Sequence, residues 1–123
     1  MTDIDYNAPT YPTTYVGCRI AVSEAYKQGA QNILDLKTMI AYHACDMQAS
    51  DFQIVGDYLV RMERTQEAIR FIYDEVRKIG DATDPEVLKA KHVRIATNHA
   101  EQMRKWWGMM SSMLRNKFED PKL

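Results

Sequence analysis

Residues 50–80, SDFQIVGDYLVRMERTQEAIRFIYDEVRKIG, decide the fold. Phe52, Val55, Leu59, Met62, Gln66, Ile69, Tyr73 and Val76 recur in steps of three and four, which lines one face of an α-helix. Ser50, with Gln53 three residues on, has the spacing of a capping box. Gly80 offers the left-handed stop. Only Gln66 interrupts the apolar seam, and period-two alternation, the mark of a half-buried strand, extends nowhere beyond a few residues.

The same spacing continues on both sides. Upstream, from Thr14 to about Gln48, Val22, Tyr26, Gly29, Ile33, Leu36, Ile40, Ala44 and Met47 predict a first helix. Gly29 lies inside its stripe, so a kink, a break or a close backbone crossing is expected there. Downstream, Asp84-Pro85-Glu86 combines an N-cap, a proline at the first helical position and an acid facing the positive helix end. A third helix starting at Pro85 then runs through Leu88, His92, Ile95, His99, Met103, Trp106, Met110, Met113 and Leu114. Three helices of about 30 residues would each be about 45 Å long, and short loops set neighbours antiparallel. The expectation is an all-α, elongated antiparallel bundle of three long helices over residues 14–118. An extended N-terminal arm (1–13) precedes it, where Pro9 and Pro12 resist helix, and a short tail (119–123) follows Asp120-Pro121.

Composition bounds the function. The chain has 123 residues, enough for one core, and its 46% apolar and 27% charged content is that of an ordinary water-facing domain. No apolar run approaches the roughly 20 residues needed to cross a bilayer, so no membrane association is expected. Cys18 and Cys45 are too few for a disulfide scaffold, and with no leader-like start a cytoplasmic location is the expectation. The net charge of −1 is unevenly spread: residues 85–123 carry eight Lys or Arg against four Asp or Glu, the reverse of the acidic remainder.

Catalytic and metal chemistry find little support in the spacing. His92 and His99 are seven residues apart, about 10 Å along a helix, rather than the four that let two imidazoles share a metal. His43 and Cys45 point to different sides of their helix, leaving a cross-helix zinc site with Asp46 as the weaker alternative to packing histidines. No Glu-x-x-His, Gly-rich phosphate loop or Gly-x-Ser-x-Gly elbow occurs, and Ser111-Ser112 lies between methionines. No enzyme, cofactor or metal is expected.

The most unusual stretch is 103–114, where Met103, Met109, Met110 and Met113, half of the eight methionines, accompany Trp106 and Trp107. Adjacent helical residues diverge by about 100°, so both indoles cannot enter one seam. Either the flanking helices bracket the third from both sides, or part of this face is a contact surface, since Trp, Met and Arg are enriched at interface centres. The latter makes Met103, Trp106, Trp107, Met110 and Met113 partner-binding candidates, with Tyr6, Tyr11 and Tyr15 of the arm assisting or packing on their own bundle. The expected function is a non-enzymatic, homo-oligomeric module, a small accessory or inhibitory protein that binds another protein. The alternative is a nucleic acid or small phosphorylated ligand on the basic strip Arg104, Lys105, Arg115 and Lys117.

Overall fold

The computed structural model describes residues 15–79 and 90–118. Helix α1 (Tyr15–His43), a 3-10 turn (Ala44–Asp46), α2 (Ala49–Ile79) and α3 (Ala90–Phe118) enclose one apolar core. The expected arm, the Gly80 stop, the Pro85 start with Leu88, and the tail lie outside the described residues.

Pairings between helices fix their directions. Tyr26 stacks on Tyr73 and Lys37 pairs with Glu63, so residue numbers rise along α1 as they fall along α2. Tyr58 meets Trp106 and Asp51 meets Lys117, the same inversion between α2 and α3. Consequently α1 and α3 run alike, and His43 stacks on Phe118 at their common end.

The α2 seam is largely as the spacing predicts: Val55, Met62, Ile69 and Val76 are buried, and Leu59, Gln66 and Tyr73 half-buried. Its beginning differs. Gln48 donates its backbone N–H to Asp51 Oδ2 at 2.9 Å and accepts the N–H of Phe52 at 3.1 Å, so Gln48 is the N-cap and Asp51 the third helical residue. The cap lies two residues before the Ser50–Gln53 frame, because Asp51 brings a carboxylate to the positive end of the helix. Asp51 is thereby buried, and Phe52 is turned outward.

Helix α1 is unbroken through Gly29, and the glycine serves a close crossing. Gln66 of α2 donates Nε2–H to the Tyr26 carbonyl at 2.9 Å, and a Cβ on Gly29 would lie 2.0 Å from Gln66 Oε1 and 3.2 Å from Met103 Cε. All three helices meet at this layer. The α1 face is also wider than its sequence stripe: Tyr26, Ile33 and Ile40 are half-buried, while Cys18, Ala25, Asn32 and His43 are buried. On α3 the phase shifts similarly, with Val93, Ala96 and Ala100 buried and Ile95 exposed. Cys18, Ala25, Ala96 and Ala100 are small, so a search for large apolar residues overlooks this part of the core.

Gly29→Ala should fall short of the about 1 kcal/mol that helix propensity offers, because the flexible end of Gln66 must swing aside and give up its bond to the Tyr26 carbonyl. In a Gln66→Ala background the same change should realise more of that gain. Urea denaturation of the four variants in a double-mutant cycle measures this, and equal effects of Gly29→Ala in both backgrounds would contradict the crossing.

Candidate functional site

The two indoles part company as the 100° rule requires. Trp106 turns toward α2, its ring 6.4 Å from Tyr58 in an edge arrangement, and Trp107 turns toward α1, lining a cleft with Met39 and Tyr42. Both are half-buried. Helices α1 and α2 thus bracket α3 from both sides, and the width of its apolar face is partly spent on the core. Met103 and Met110 face the interior at 0% and 4% exposure, so they hold the bundle together and offer nothing to a partner. Met113 is half-buried. Tyr6 and Tyr11 lie outside the described residues, and Tyr15 enters only as the first residue of α1.

The surface that persists is a flank shared by α2 and α3. Trp106, Met109 and Met113, three and four residues apart, share one side of α3; Ile54, Tyr58 and Arg61 do so on α2. The Tyr58–Trp106 contact joins the two rows. Met109 is 51% exposed and Ile54 43%, and the Arg61 guanidinium lies 4.8 Å from the centre of the Tyr58 ring. Ile54, Tyr58 and Arg61 fall beside the main seam of α2, so seam periodicity alone does not single them out.

The basic strip is less free than its sequence suggests. Arg104 bonds Glu101 at 2.8 Å, and Lys117 is held by Asp51. Lys105 and Arg115 are exposed with no carboxylate partner among the described residues. They stand about 15 Å apart along α3.

The remaining reactive groups are occupied or separate. Ser111 is buried and donates its hydroxyl to the Gly108 carbonyl at 3.2 Å. Cys18 is a buried thiol in no disulfide, its pKa pushed up by burial, which favours the unreactive protonated form, and Cys45 is exposed and unbridged. Among the described residues, no three His, Cys, Asp or Glu side chains converge on a metal position, and no helix is long and apolar enough to cross a membrane. Comparison with known proteins gives no matching family model, no matching curated protein and no matching solved structure.

Asp51 ties this end of the molecule together. Its carboxylate accepts from Lys117 Nζ and from the Gln48 N–H, and these bonds, the lysine's first, hold it below the usual carboxylate range. A carboxyl whose folded pKa is depressed adds stability that is complete above its unfolded value, about 4, and lost as pH falls through the folded one. Asp51→Asn should therefore lower the urea midpoint at pH 7 and narrow its deficit against wild type below pH 4. An equal deficit at pH 7 and pH 3 would show that the ionised form is not what matters.

Proposed function

We propose that this chain is a non-enzymatic protein-binding module that seats an amphipathic helix of another protein on the α2–α3 flank, apolar along the contact and acidic at its borders. The observation that carries the reading is the composition of that flank. Trp106, Tyr58, Met109, Met113 and Ile54 form a partly exposed apolar strip edged by Arg61 and Lys105, neither of which has a carboxylate partner among the described residues. Tryptophan, tyrosine, methionine and arginine are the side chains enriched at interface centres. Unbranched methionines adapt to varied apolar partners. A furrow between two antiparallel helices suits a third helix laid along it, read out through residues at three- and four-residue spacing. The two cations select against a basic segment and favour glutamates or aspartates at the rim.

The test uses two synthetic helical peptides with the same leucine seam, one with glutamate and one with lysine at the flanking positions, titrated calorimetrically into the full chain. The acidic peptide should bind, more weakly as salt rises, and Met109→Glu should reduce its affinity about tenfold or more; Met109 is exposed, so the fold should survive. Equal binding of both peptides, binding of neither, or indifference to Met109→Glu would overturn the proposal. So would light scattering that shows a dimer dissolved by Met109→Glu, because a second copy would then be the occupant.

A further inference from the structure

The opposite side of α3 carries a different kind of opening. Between α1 and α3, Asp35, Thr38, Met39, Tyr42, His43 and Trp107 line a cleft of about 280 Å³. It is smaller than the roughly 300–1,000 Å³ of drug-sized ligand pockets, so it matches one side chain or a small molecule.

Its walls are mostly aromatic and braced. Tyr42 meets His43 edge to face with centroids 4.8 Å apart, and His43, buried, stacks in turn on Phe118 at 5.4 Å. Trp107 closes the α3 side, and Met39 supplies a thioether packed against the core.

The lining holds one carboxylate, the His43 imidazole stacked on Phe118, and no Lys or Arg. Asp35 accepts from Gln31 Nε2 through Oδ1 at 2.7 Å, which leaves Oδ2 without a partner among the described residues. Thr38 donates its hydroxyl to the Leu34 carbonyl at 2.8 Å, so the lone pairs of Oγ1 stay available as a second acceptor. The site therefore presents acceptors, ring faces and apolar surface.

An anion would be repelled by Asp35 and by the negative faces of the rings. A neutral apolar guest would strip water from the carboxylate and return no hydrogen bond. A cation on an aliphatic stem meets every requirement: the head bonds Asp35 and Thr38, the rings attract its charge, and the stem lies on Met39 and Trp107.

We propose that this cleft is a receptor for a single ammonium or guanidinium group carried on an aliphatic stem, as in a lysine or arginine side chain or a small alkylamine. The site shares no residue with the α2–α3 flank, so either can fail without the other.

The two tryptophan indole N–H signals in a heteronuclear NMR spectrum, assigned with Trp106→Phe, report on it directly. Capped arginine and n-butylammonium should shift the Trp107 signal saturably, with a dissociation constant in the roughly millimolar range, and capped norleucine should bind at least about tenfold more weakly. Asp35→Asn should abolish that preference, and Tyr42→Ala, at a residue 80% exposed, should weaken both cations several-fold. Tighter binding of an arginine-centred tripeptide than of the capped residue would assign the group to a protein chain, and equal binding to a free amine; both support the site. No shift, an equal response to norleucine, or wild-type behaviour of Asp35→Asn would overturn it.

Discussion

The amide of Gln66, laid against the α1 backbone between Tyr26 and Gly29, sets the register of the bundle. Its Nε2 bonds a carbonyl that already belongs to a helix, and its Oε1 occupies the space any larger residue at position 29 would fill. The Nε2–H bond offsets part of the cost of burying this amide, whose Oε1 has no hydrogen-bond partner among the described residues, and sliding α2 by one turn would forfeit that bond as well. Met103 of α3 closes the same layer, which places the third helix relative to the other two. The flank and the cleft both depend on that placement, because each is built from two helices held at a fixed offset.

The existence of three helices, their all-α class and the inner face of α2 were legible in the residues. Val55, Met62, Ile69 and Val76 repeat strictly and are large, so the period is unambiguous. The crossing at Gly29 was legible as one of three options, because glycine inside a stripe signals a backbone event without naming it. The phase of α1 was not. That helix carries large apolar residues on its outer side too, with Val16, Ile20, Leu34 and Tyr42 exposed, so periodicity cannot choose its inner edge. Its buried positions include Ala25, Asn32 and His43, small or polar residues that a hydrophobic pattern discounts. The cap of α2 was misplaced for a related reason: two overlapping frames fit the spacing, and only the ion pair to a residue 66 positions away selects Asp51.

The candidate surfaces show what local pattern can and cannot say about function. The divergence of Trp106 and Trp107 followed from helical geometry alone. Which of the neighbouring methionines face inward depends on where the other helices lie, and Met103 and Met110 are interior although the stretch as a whole is conspicuous. Basic side chains read as a strip in one dimension; in three, two of the four are engaged by Glu101 and Asp51.

The last turn of α3 touches both other helices, through Lys117 to Asp51 and Phe118 to His43. A ribosome makes these residues after every part of α1 and α2, so while the first two helices emerge, the α1–α2 junction lacks both its counter-charge and its stacking ring. The ion pair joins positions 66 residues apart, so it closes only once α2 and α3 lie side by side.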